Sequence, residues 1–93
     1  MKELFYSDEA IADLERLREF IAEHNPQAAA SVAKELIRRA TALRSFPLLG
    51  VRVEESPDPE CIRDFVFGNY VVRYLVSETS VCILRIWHHY EDR

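Results

Sequence analysis

The side chains best able to do chemistry lie in the last third of the sequence. Arg63, Arg73 and Arg85 supply cations, and His88, His89 and Tyr90 can take or give a proton. An Arg, a His and a Tyr held together can clamp a phosphate, act as base and act as acid. Strand parity puts Arg73, His88 and Tyr90 on one side, so these three form the alternative catalytic set. Against it, Asp64 is expected directly opposite Arg73, where it would offset the charge. The simpler reading of His88 and His89 is a polar strand end packing near Trp87. No catalytic residue is favoured. Cys61 and Cys82 fall on opposite faces of non-adjacent strands, which predicts buried free thiols rather than a disulfide. Neither spacing offers a second pair of ligands, so no metal and no cofactor is expected.

These residues must be positioned by strands. Gly68-Asn69 is a two-residue turn that supplies positive φ, and Thr79-Ser80 reads as a second break of the same length. The pattern predicts a three-stranded antiparallel meander. Its register sets Phe67 against Tyr70, Asp64 against Arg73 and Arg63 against Tyr74. In the next hairpin it sets Glu78 against Val81, Tyr74 against Arg85 and Val71 against His88. Alternation then sorts the side chains. One face carries a cross-strand row of Arg63, Tyr74 and Arg85, with Phe65, Tyr70, Val72, Ile83 and Trp87. The other carries Ile62, Val66, Val71, Leu75, Leu84 and Ile86, with Asp64, Arg73 and His88. Guanidinium groups stacked on the phenol ring, with hydrogen bonds to helix ends, would make the row structural.

Upstream, Leu4-Phe5-Tyr6 reads as a first strand and Ser7 as the N-cap of a helix. In that helix Ala10, Ile11, Leu14, Leu17 and Ile21 form the buried stripe, while Asp13, Glu15, Arg16, Glu19 and Glu23 face water. Asn25-Pro26 ends it and starts a second helix that buries Ala29, Val32, Ala33, Leu36, Ile37, Ala40 and Leu43. Glu35 and Arg39 make an i,i+4 pair worth about 0.3 kcal/mol. Phe46-Pro47-Leu48-Leu49-Gly50 is the exit, Val51 to Glu55 a short extended segment, and Ser56 to Glu60 a polar loop.

The whole of 1–93 reads as one α+β domain. It has two layers: an N-terminal strand, a helical hairpin, then the three-stranded meander. With 48% hydrophobic residues and few Gly and Pro, the chain suits a folded globule. A net charge of −4 argues against a dedicated nucleic-acid binder. No signal peptide or membrane-spanning run is evident, which predicts a cytoplasmic protein without a membrane partner. Two helices can cover one sheet face, and the aromatic-rich face suits them. That leaves Ile62, Val66, Val71, Leu75, Leu84 and Ile86 as an apolar surface awaiting a partner.

Four fragments in series carry a family resemblance. They are Ala22-Glu23-His24-Asn25-Pro26-Gln27-Ala28-Ala29, Leu43-Arg44-Ser45-Phe46-Pro47-Leu48-Leu49-Gly50, Ile62-Arg63-Asp64-Phe65-Val66-Phe67-Gly68-Asn69-Tyr70 and Ile83-Leu84-Arg85-Ile86-Trp87-His88-His89. Together they resemble the ParE/RelE superfamily, plasmid-stabilisation toxins of type II toxin–antitoxin modules. The resemblance implies a strand–helix–helix–three-strand fold and a small cognate antitoxin that wraps the toxin in a hetero-oligomer. It also implies one of two activities: ParE-like members inhibit DNA gyrase, and RelE-like members cleave mRNA on the ribosome. RelE-like members supply Arg and Lys from the open sheet face. The corresponding positions here are read as Ile62, Asp64 and Val71, none of them a cation. The ParE-like branch is therefore expected, with gyrase as partner and no direct nucleic-acid contact. The alternatives are a ribosome-dependent endoribonuclease using Arg73, His88 and Tyr90, and an inactive member that only binds antitoxin.

Overall fold

The computed structural model describes residues 1–57 and 61–91. The expected polar loop at Asp58 to Glu60, and the last two residues of the tail, lie outside that range. Strand β1 (Glu3–Tyr6) leads into α1 (Asp8–His24), α2 (Pro26–Ala42), β2 (Val51–Arg52), β3 (Ile62–Phe67), β4 (Tyr70–Val76) and β5 (Ser80–His88). The helix starts follow their caps. Ser7 Oγ accepts the Ala10 N–H at 3.0 Å, and Asn25 Oδ1 accepts the Ala28 N–H at 3.2 Å. Pro26 occupies the first turn of α2, where its missing donor is not needed.

The five strands form one mixed sheet in the order β1-β5-β4-β3-β2, with β1 parallel to β5 and the other pairs antiparallel. This is the expected α+β arrangement, extended at one edge by the short strand β2. Both helices pack on one side. Their buried positions, Ala10 and Leu17 on α1 and Leu36 and Ala40 on α2, meet Val72, Tyr74, Val81, Ile83 and Ile86 in the core. The stripe on α1 is rotated from the expected one. Asp13 is buried at 2%, while Ile11 remains 49% exposed, and on α2 Ile37 is 46% exposed.

The first hairpin has the expected register, with Phe67, Asp64 and Arg63 opposite Tyr70, Arg73 and Tyr74. Gly68, at φ 57°, takes the left-handed conformation its turn requires. The second hairpin differs. Ser77 N–H donates to Ser80 O at 2.9 Å and Ser80 N–H to Ser77 Oγ at 3.2 Å, so the tip is Glu78-Thr79 rather than Thr79-Ser80. Val76 therefore faces Val81 and Tyr74 faces Ile83; a β-bulge then inserts Leu84, after which Arg73 faces Arg85 and Tyr70 faces His88. A one-residue insertion exchanges the two faces beyond it. Ile86 joins the core at 1% exposure, and Trp87 moves to the open face beside Val71.

The displaced tip breaks the expected row of Arg63, Tyr74 and Arg85, because it sets Ile83 opposite Tyr74 before the bulge is reached. Tyr74, fully buried, instead ties down the chain between α2 and β2. Its hydroxyl donates to Pro47 O and accepts the Gly50 N–H, both at 2.8 Å, while Arg63 Nη1 donates to Gly50 O at 2.8 Å. Gly50 packs so closely that an added Cβ would meet Asp64 O at 2.7 Å and Tyr74 Oη at 2.8 Å. Tyr74→Phe removes both hydroxyl bonds in a buried site. It is expected to lower stability by about 1–3 kcal/mol, measured by urea unfolding.

Candidate functional site

Two polar constellations organise the surface. The first centres on Asp13. Its Oδ2 accepts from Arg85 Nε at 2.8 Å and from the Ile86 N–H at 2.8 Å, and its Oδ1 accepts from Arg85 Nη2 at 3.1 Å and from Arg16 Nη1. Arg16 continues outward, donating from Nε to Glu91 Oε2 at 2.8 Å and from Nη2 to Ile86 O at 3.1 Å. Glu91 in turn accepts the His88 N–H at 2.8 Å. The bulge explains the geometry: although Arg85 lies opposite Arg73 in register, its guanidinium reaches α1.

Burial raises the Asp13 carboxyl, but the hydrogen bonds from Arg85, the Ile86 amide and Arg16 outweigh it and hold the group below the usual carboxylate range. The Arg16 hydrogen bond likewise lowers Glu91, against the opposing effect of burial. Arg16 is correspondingly raised, by its bond to Glu91 first.

The second constellation lies on the open face. Arg73 donates to Asp64 through two parallel bonds, Nε to Oδ1 at 2.8 Å and Nη2 to Oδ2 at 3.0 Å, as the first hairpin predicts. Its guanidinium carbon also sits 5.1 Å from the centroid of Trp87. The hydrogen bond to Asp64 raises the Arg73 pKa. This cation is held on two sides.

The alternative catalytic set does not assemble across the sheet. His88 pairs with Tyr70 on the helix side, where its ring lies 5.0 Å from Tyr70 and 5.6 Å from Phe20. Tyr90, 76% exposed, stays with His88: the rings are 5.6 Å apart and His88 Nδ1 accepts the Tyr90 N–H at 3.1 Å. Arg73 is on the opposite face. The bulge separates what uninterrupted alternation would have joined. Among the described residues no group of three or more His, Cys, Asp or Glu is placed to hold a metal ion. Cys61 and Cys82 are not joined in a disulfide, and both are half-buried rather than buried.

Of the six residues expected on the uncovered face, Ile62, Val66 and Leu75 lie there, with Val66 61% exposed. Val71 shares the face but is buried at 9%, beside Trp87. Leu84 is the half-buried bulge residue, and Ile86 belongs to the core. The parallel pairing of β1 adds Phe5, opposite Cys82 in the row of Leu75 and Ile62 and 52% exposed. At the other edge, Val51 opposite Asp64 adds a 67% exposed side chain. Sequence alternation within the meander could not reveal either, because both come from pairings outside it. Asp13, Arg16 and Glu91 were also missed; the 72-residue separation of Asp13 and Arg85 leaves no local pattern.

The site sits on a small α+β unit with a helical hairpin on one sheet face and a largely apolar face left open. The comparisons make the assignment specific. The family described as "ParE toxin of type II toxin-antitoxin system, parDE" matches residues 4–93, and the chain belongs to it. It is 33% identical over 88 residues to Toxin RelE2 of Caulobacter vibrioides, covering 95% of this chain and 96% of that protein. Among solved structures, the chromosomal ParDE system of P. aeruginosa aligns with a TM-score of 0.80 at 21% identity, covering 95% of this chain and 96% of that one. The RelBE2 toxin–antitoxin complex of Mycobacterium tuberculosis aligns at 0.67 and 23% identity, covering 94% and 96%. These two show a shared fold.

The Asp13 constellation predicts a defined acid sensitivity. A carboxyl whose folded pKa is depressed stabilises the fold above its unfolded value, about pH 4, and loses that contribution as pH falls through the folded value. Asp13 and Glu91 both have this sign. Asp13→Ala is expected to cost about 1–3 kcal/mol at pH 7, since it leaves the buried Ile86 N–H without its acceptor, while Arg16 and Arg85 are exposed enough to turn to water. The difference from the unmodified chain should shrink as pH falls below about 4, measured by urea unfolding across pH.

Proposed function

We propose that this chain is the toxin of a type II module that acts by binding a protein, DNA gyrase, and that a cognate antitoxin neutralises it as a hetero-oligomer by covering the open sheet face. The observation that carries this reading is the state of Arg73. It is the guanidinium central to the open face, yet it is bound in both directions, to Asp64 and over Trp87. Ribonuclease chemistry asks for cations available to phosphate and for an acid and base beside them. Here the acid–base pair, His88 and Tyr90, lies on the other side of the sheet. Inhibition by binding requires only a complementary surface. The basic second helix and the tail from Trp87 onward are candidate contacts.

Purified chain is expected to inhibit gyrase supercoiling, and added antitoxin to prevent that inhibition. Expression without antitoxin should give filamentous cells and a DNA-damage response before protein synthesis falls. Translation stopping first, with supercoiling untouched at high toxin concentration, would overturn the assignment. The second reading, a ribosome-dependent endoribonuclease, rests on the His88–Tyr90 contact and on the name of the 33%-identical relative. It requires codon-specific mRNA cleavage in a translating extract that disappears on His88→Ala.

The antitoxin face has its own test. Val66→Asp and Leu75→Asp place a carboxylate on the open face, where a covering partner would strand it away from water. Each is expected to weaken the toxin–antitoxin complex by about 2 kcal/mol or more in calorimetric titration. Unchanged affinity for both would remove this face from the interface.

A further inference from the structure

The exit from α2 presents an apolar surface for which the fold itself has no use. Phe46, Leu48 and Leu49 are 64%, 65% and 56% exposed on consecutive turns of the loop, and Val51 follows at 67%. This is not slack chain. Tyr74 grips Pro47 and Gly50 from inside the core, and Arg63 grips Gly50 from β3, so the apolar side chains are held outward on a fixed backbone. A pre-formed surface loses little freedom on binding. Exposed apolar groups gathered in this way mark an interaction site.

Two features define the occupant. Beside the loop, Leu49, Ala42 and Phe65 floor a groove of about 220 Å³ whose walls are Arg38 and Arg39. Both guanidinium groups bond to the single carboxylate of Glu35, which leaves a local excess of one positive charge. Arg38 remains 69% exposed at the rim. One surplus cation beside an apolar slot is too little for a nucleic-acid backbone, where affinity comes from neutralising many phosphates. It does suit an apolar side chain flanked by a carboxylate. The second feature is continuity. Val51 lies opposite Asp64 on the open sheet face, and Val66 is two positions along β3 on that same face. The apolar surface therefore runs from the open face around the β2 edge towards the groove.

We propose that the segment of the neutralising partner covering the open sheet face continues around the β2 edge, seats an apolar side chain against Leu49 and Phe65, and sets an acidic residue on Arg38. This rests on the antitoxin reading above and adds to it a second anchor with a stated chemistry. The test uses the chain and the complex with its antitoxin, followed by methyl NMR and calorimetry. The methyl groups of Leu48, Leu49 and Val51 should shift on complex formation along with those of Val66 and Leu75. Leu49→Ser, at an exposed position, should weaken the complex at least tenfold with an unchanged circular dichroism spectrum. Arg38→Glu should weaken it comparably and flatten its salt dependence. A complex that shifts Val66 and Leu75 but leaves the loop methyls and both variants' affinities unchanged would overturn this inference while leaving the antitoxin face standing. No complex at all would overturn both. Equal loop shifts on adding a single-stranded oligonucleotide in place of the antitoxin would overturn the choice of a protein occupant.

Discussion

One buried carboxylate sets the geometry on which the rest depends. Asp13 is held at 2% exposure, and an ionised group in that position must be met by donors or it cannot remain charged. The donors come from three places: Arg16 one turn along α1, the Arg85 side chain, and the Ile86 backbone N–H on β5. Satisfying them together fixes the rotation of α1 over the sheet and its height against β5. That rotation brings Ala10 and Leu17 inward and leaves Ile11 half exposed. Replacing such a cluster by apolar groups of equal volume need not weaken a fold, whereas removing one partner does. Its contribution is better understood as specifying one arrangement than as adding stability.

The arrangement it specifies is the bulge. Leu84 is the extra residue, its carbonyl accepts Ser7 Oγ at 2.8 Å, and on either side of it β5 presents opposite parities to the helices. Before the bulge Val81 and Ile83 point into the core; after it Ile86 does, and Trp87 turns out beneath Arg73. A continuous strand would have put Trp87 inside and Ile86 outside. The bulge thus decides what the open face offers: an indole beneath a guanidinium, with aliphatic side chains around it, while His88 goes to the helix side.

Much of this was legible where the determining contacts are short-range. Ser7, Asn25-Pro26 and Gly68-Asn69 announce their caps and turn because the groups that satisfy them lie within a few residues. The first hairpin register followed, and with it the Asp64–Arg73 pair. The second hairpin was misread at its tip, since Ser77 and Ser80 close the turn with side-chain and backbone bonds that leave no Gly or Asn signature. Periodicity assigned Asp13 to water because it scores a carboxylate as polar regardless of whether a distant Arg awaits it. Phe5 and Val51 were invisible on the open face for a related reason: they reach it through the β1–β5 and β2–β3 pairings, which alternation within the meander does not encode.

The distribution of charge carries the argument about mechanism furthest. In this chain the guanidinium groups described above are bonded to carboxylates: Arg85 and Arg16 to Asp13, Arg16 again to Glu91, Arg73 to Asp64, and Arg38 with Arg39 to Glu35, where one positive charge is left over. An enzyme that breaks a phosphodiester keeps cations open until the transition state, because only charge stabilised there accelerates the reaction. A cation already bonded to a carboxylate must give up that bond before it can serve, and the exchange returns little. Such pairs are well suited to another task. They hold side chains in one conformation around an apolar surface, so that a partner meets a shape rather than a set of mobile charges. The apolar side chains left uncovered, from Phe5 across Leu75 and Val66 to Val51 and Leu49, are what this framework holds in place. That framework supports the proposed reading, in which the chain acts by binding a protein.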